Sequence, residues 1–97
     1  MFHILLECNG IPVEAGAQAA ADIEEEFTHR PWHRNVRCDW DGSRLRLQAN
    51  NDSDANGLAL LDEFADAICA CIVDAQYYDL RVVEVQPLAD NSPRNGD

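Results

Sequence analysis

The chain has 97 residues, 46% of them hydrophobic, and a formal net charge of −11 from 18 acids against seven arginines and no lysine. That apolar content is too high for a disordered chain. Such an acid excess argues against non-specific binding to DNA or to anionic membranes, both of which draw on Lys and Arg.

The first stretch, FHILLEC (residues 2–8), is a short apolar run closed by Asn9-Gly10 and reads as a mostly buried strand. It has no basic leader region and no small-residue cleavage site, so a cytoplasmic protein is expected. No run approaches the roughly 20 apolar residues of a membrane span.

Pro12 suits the opening of a helix. Val13, Gly16, Ala20, Ile23 and Phe27 then form one stripe, with Glu14, Gln18, Asp22, Glu25 and Glu26 outside it. Glu25–His29 and Glu26–Arg30 are i, i+4 pairs that offset the acids crowded at the helix end, and Pro31 stops the helix.

Next comes a hairpin turning at Asp41-Gly42, which sets Trp40 opposite Ser43, Cys38 opposite Leu45 and Val36 opposite Leu47. Alternation puts Val36, Cys38, Trp40, Leu45 and Leu47 on one face. Asn35, Arg37, Asp39, Arg44, Arg46 and Gln48 fall on the other, with Asp39 and Arg44 as a cross-strand pair.

A second helix is expected over 58–75, with Leu61, Phe64, Ile68, Ile72 and Ala75 inward and Asp62, Asp66 and Asp74 outward. Residues 79–88, DLRVVEVQPL, read as a last strand, and 89–97 as a disordered polar tail. The order β-α-β-β-α-β predicts an α+β domain over 1–88. Its plan is the ferredoxin-like two-layer sandwich: a four-stranded antiparallel sheet in the order 4-1-3-2 with two helices on one face.

Charge is unevenly spread along this plan. Residues 1–29 carry −6, residues 30–46 carry +3 and residues 47–97 carry −8. Arg37, Arg44 and Arg46 should project from the open sheet face beside His3, Leu5 and Glu7, opposite an acidic helix layer. Such a face can pair with a second copy or another protein. It also fits an anion-binding or small catalytic site that uses Arg37, Arg44, Arg46, His3 and Trp32. RNA is disfavoured, because the third strand, SRLRLQAN, offers no aromatic on which a base could stack.

Four cysteines invite a metal or disulfide reading that geometry opposes. Cys69 and Cys71 lie about 200° apart around a helix, so they cannot share one tetrahedral ion. Cys8 and Cys38 have a strand between them, beyond the roughly 7 Å that a disulfide spans. The histidines His3, His29 and His33 have no serine or cysteine in an elbow-like turn, so no catalytic constellation emerges and a non-enzymatic binding or regulatory role is favoured.

One local motif stands apart. In DSDANGLALLDE (residues 52–63), Asp52, Asp54, Asn56, Gly57 and Glu63 occupy the positions of the pattern D-x-[DN]-x-[DN]-G-x₅-E. Over these twelve residues the chain resembles the calcium loop of EF-hand proteins. The resemblance implies calcium held by Asp52, Asp54, Asn56, the Leu58 carbonyl and both oxygens of Glu63. The alternative is a strand-to-helix connection in which Asp52, Ser53 or Asp54 is the N-cap and the further acids favour the helix start.

Overall fold

Alternation in FHILLECN builds the central strand: Ile4, Leu6 and Cys8 point to one side and are buried, while His3, Leu5 and Glu7 point to the other. The computed structural model describes residues 1–72 and 78–88. Its elements are β1 (Phe2–Asn9), α1 (Val13–Glu26), a 3₁₀ turn (Phe27–His29), β2 (Arg34–Trp40), β3 (Arg44–Asn51), α2 (Leu58–Cys71) and β4 (Asp79–Pro87). The four strands form one antiparallel sheet in the order β2-β3-β1-β4, which is the expected 4-1-3-2 read from the other edge.

Both helices contribute to one core on one side of this sheet. Ala19, Ala20 and Ile23 of α1, and Leu60, Phe64, Ala67 and Ile68 of α2, close over Ile4, Leu6, Cys8, Leu45, Leu47 and Ala49. The α1 stripe is narrower than expected. Val13 is exposed, because the helix opens there with Pro12 as its N-cap, and Phe27 is buried from the 3₁₀ turn that ends it. In α2 the buried line runs through Leu60 and Ala67 rather than Leu61, which is only half-buried. Its helix stops at Cys71; Ala75 of the expected stripe and the outward Asp74 lie outside the described residues, as does the tail at 89–97. No helix among the described residues is long and apolar enough to cross a membrane.

The hairpin register differs from expectation by two residues. Trp40 faces Leu45, Cys38 faces Leu47 and Asp39 faces Arg46, so the turn centres on Gly42-Ser43. Asp41 is the reason. Its Oδ1 accepts the Ser43 and Arg44 backbone N–H groups at 2.9 and 2.8 Å, which makes it the first residue of the turn. A two-residue shift keeps Arg37, Cys38, Asp39 and Trp40, and their partners in β3, on their expected faces. A bulge follows between Arg34 and Arg37, where Asn35 takes φ 55°.

Both sheet edges are blunted. On β2 the Cys38 backbone N–H donates to Glu24 Oε1 of α1 at 2.8 Å. On β4 the register shifts opposite Leu5/Leu6, and the strand ends at Pro87. Bulges, prolines and side-chain covers are the usual devices against edge-to-edge pairing.

Candidate functional site

The open sheet face centres on a carboxylate. Glu7 lies toward the end of β1, and its side chain is only 5% exposed. Arg81 of β4 holds Oε1 with Nη2 at 2.8 Å and Nε at 3.0 Å. Arg46 of β3 reaches Oε2 with Nε at 3.4 Å, and Arg44 Nη1 stands 3.7 Å away. Arginine side chains, not apolar packing, shut out the water. The hydrogen bond from Arg81 therefore outweighs the burial and holds the Glu7 carboxyl below its ordinary range.

Register explains the assembly. Arg46 and Arg81 sit directly opposite Glu7 on its two neighbouring strands. The outer arginines are further committed, Arg46 to Asp41 Oδ2 at 3.1 Å and Arg44 to Asn9 Oδ1 at 2.8 Å. His3 Nδ1 is 2.7 Å from Asn50 Oδ1 on the same face. Arg37 pairs in register with Gln48, is exposed, and has no ion pair among the described residues. Arg37, Arg44, Arg46 and His3 thus share the open sheet face, with His3 and Arg44 toward its opposite ends. The sequence misses that Glu7 gathers Arg44 and Arg46 with Arg81, while Arg37 and His3 stay outside that cluster, because Arg81 joins only through the β1–β4 register.

Trp32 does not join this face. It stands 58% exposed at another corner, where its Nε1–H donates to Glu63 Oε2 of α2 at 3.3 Å. His33 beside it is buried, with Nε2 3.0 Å from the same Oε2 and Nδ1 3.3 Å from Asn51 Nδ2. Asn51 Oδ1 accepts two backbone N–H groups, from Ser53 at 3.2 Å and Asp54 at 2.8 Å. That fixes the amide with its Nδ2 donors toward the ring. His33 Nδ1 is then the acceptor, and the proton sits on Nε2, donated to Glu63. With both nitrogens engaged, His33 orients Glu63 and the loop and has no lone pair left for a substrate. Arg30 Nε lies 2.9 Å from Glu63 Oε1, an ion pair not aligned as a hydrogen bond, and Arg30 Nη1 reaches Glu26 at 3.3 Å.

The loop at 52–63 is tied into this corner. Asp54 is buried and accepts the Ala59 N–H at 3.1 Å on one oxygen and the Leu60 N–H at 2.8 Å on the other. Asn56 Oδ1 accepts the Leu58 N–H at 3.0 Å. The N-cap of α2 is Gly57 and not Asp52, Ser53 or Asp54; it takes φ 78°, and a Cβ there would meet Ile4, Val82 and Val85. Asp52 is exposed. Of the oxygens that the calcium pattern names, those of Asp54, Asn56 and Glu63 are committed to protein partners. Among the described residues no three His, Cys, Asp or Glu side chains are grouped to hold a metal.

No family model matches this chain, and no curated protein matches it.

The cysteines are free thiols. Burial pushes Cys8 and Cys38 up to about 12, helped by Asp79 beside the first and Glu24 beside the second. Cys71 is also raised, by burial and then by the nearby Asp22. Cys69 is exposed on α2, with Sγ 3.4 Å from the Tyr78 hydroxyl.

Proposed function

We propose that this chain is a small, non-enzymatic binding module of the ferredoxin-like class that self-associates through its open sheet face. The observation that carries the reading is an asymmetry of charge. Arg34, Arg37, Arg44, Arg46 and Arg81 share that face with Glu7, Asp39, Asp79 and Glu84, so it is close to neutral while the chain carries −11. Two copies meeting sheet to sheet turn their acidic helix layers apart, whereas any approach through the helices sets like charges together. The blunted edges support face contact over strand addition.

Size sets the strength. Four strands about 4.8 Å apart and eight residues long at about 3.3 Å per residue give a face of roughly 500 Å². Burying it on both copies yields about 1,000 Å², the lower limit for a specific interface. The dimer is therefore weak and concentration-dependent.

Sedimentation equilibrium tests this. The wild-type chain should approach a dimer mass as concentration rises into the high micromolar range, and Arg37→Glu should remain monomeric. Arg37 is the informative position because its replacement leaves the Glu7 cluster untouched, while Arg46→Glu would dismantle it. A wild-type chain that stays monomeric, or an Arg37→Glu chain that dimerises equally well, refutes the reading.

A further inference from the structure

The Trp32 corner is a second surface, which touches the sheet face at Arg34. Trp32, Asp52, Ser53 and Glu63 line a pocket of about 220 Å³ there, enough for one side chain. The indole is exposed yet held in place. Pro31 precedes it, its N–H is bonded to Glu63, and its ring meets the His33 ring at a centroid distance of 6.0 Å. His33 is in turn 5.8 Å from Phe27 of the core. A large aromatic that is rigid before binding loses little entropy on contact, which is the property of an interface anchor.

The charges around it are unequal in availability. The Glu63 carboxylate is balanced by Arg30, and that of Asp54 is spent on α2. Asp52 is exposed and has no hydrogen bond or ion pair through its side chain among the described residues. Arg34 lines the pocket from the sheet side, since its register partner Asn50 lies on the open face. The surrounding helix layer is acidic.

We infer that the Trp32 corner docks a basic side chain from a protein partner, the indole face taking the cation and Asp52 balancing its charge. An aromatic face attracts a guanidinium or ammonium group through its quadrupole. The field of a chain at −11 concentrates basic partners near it. Arg34 opposes such a ligand and would favour an acidic one, so it discriminates between the two.

The test is a titration of the isotope-labelled full chain with a short arginine-glycine repeat peptide, acetylated and amidated, read at the Trp32 indole N–H and the Asp52 and Ser53 amides. The Trp32→Phe spectrum assigns the indole signal against that of Trp40. Saturable shifts at these three groups are expected. Trp32→Leu should weaken binding about fivefold and Asp52→Asn about threefold, and Arg34→Gln should strengthen it. All three replaced side chains are exposed, so the amide spectrum elsewhere should be unchanged. Shifts scattered over the acids of α1 and α2 with the indole unmoved overturn the inference. So does unchanged affinity in Trp32→Leu, or equal binding of a glutamate-glycine repeat that Arg34→Gln abolishes.

Discussion

Replacing Asp54 by alanine removes the acceptor for two backbone donors at the start of α2. The donors are Ala59 N at 3.1 Å and Leu60 N at 2.8 Å, and Leu60 is fully buried. Asp54 lies three residues before Gly57, the N-cap of α2, but it holds the same second- and third-position amides that a capping side chain would, and loss of such a cap costs about 1 kcal/mol. A buried N–H left without a partner adds about 1–3 kcal/mol. Asp54→Ala should therefore destabilise the fold by about 2–4 kcal/mol. Asp54→Asn keeps one oxygen and should cost about 1 kcal/mol. Asp52→Ala, an exposed position, should stay within about 0.5 kcal/mol of wild type. In a domain this small, a loss of about 2–4 kcal/mol lowers Tm by roughly 10–30 °C. Urea and thermal melts followed by circular dichroism, in the presence of a chelator, give all three values. The same melts with millimolar calcium separate the two readings of the loop. The cap predicts the same ranking with and without calcium. Wild type stabilised by calcium, with Asp54→Ala and Glu63→Gln both abolishing the gain, would refute the cap and establish the metal.

Gly16→Ala should destabilise the chain although alanine is the better helix former by about 1 kcal/mol. A Cβ at Gly16 would fall on the Trp40 indole, and such overpacking costs about 1–3 kcal/mol beyond that gain; urea melts decide the sign. The Glu7 carboxyl has its pKa depressed in the folded state, so its stabilising contribution is present above the unfolded value near 4.3 and is lost as pH falls through the lower folded value. Acid melts of Glu7→Gln should lack that component of the wild-type pH dependence, and a dependence of equal steepness would remove the cluster as its source. Alkylation by iodoacetamide at neutral pH, mapped by mass spectrometry, should modify Cys69 first, because the Cys8 and Cys38 thiols are buried and pushed up to about 12.

What the sequence shows well is local. Alternation in β1 and in the hairpin, and the three- and four-residue spacing in α2, each follow from neighbours within one element. The turn register escaped because a side chain, Asp41 Oδ1, chose the turn's first residue, and alternation is blind to a two-residue slip. Trp32 escaped for a different reason. It lies between Pro31 and the first residue of β2, in a stretch with no period and hence no face to assign. Glu63 illustrates the limit of a motif. Its spacing from Asp52 fits a calcium ligand, but its partners Arg30, Trp32 and His33 come from the α1–β2 connection, about thirty residues away. A pattern confined to twelve residues contains none of that competition.

The two proposed surfaces differ in how they are built, and that makes them separable. The sheet-face cluster hangs on β-register: Glu7 meets Arg46 and Arg81 because they are its direct neighbours in the sheet. The Trp32 corner hangs on α2, through Glu63, and on the α1–β2 connection, through Arg30 and His33. Arg37 and Trp32 share no partner among the described residues. Changes at sites without shared partners add within about 0.3–0.5 kcal/mol. Trp32→Leu should thus leave the sedimentation behaviour of the chain unchanged, and Arg37→Glu should leave the affinity of the corner for the arginine-glycine peptide unchanged within about twofold. The double variant should show both single effects at full size. Peptide binding that falls by more than that in Arg37→Glu would mean that the corner is completed by the second copy. Sedimentation that changes in Trp32→Leu would place the self-association surface at the helix end of the molecule instead of on the sheet.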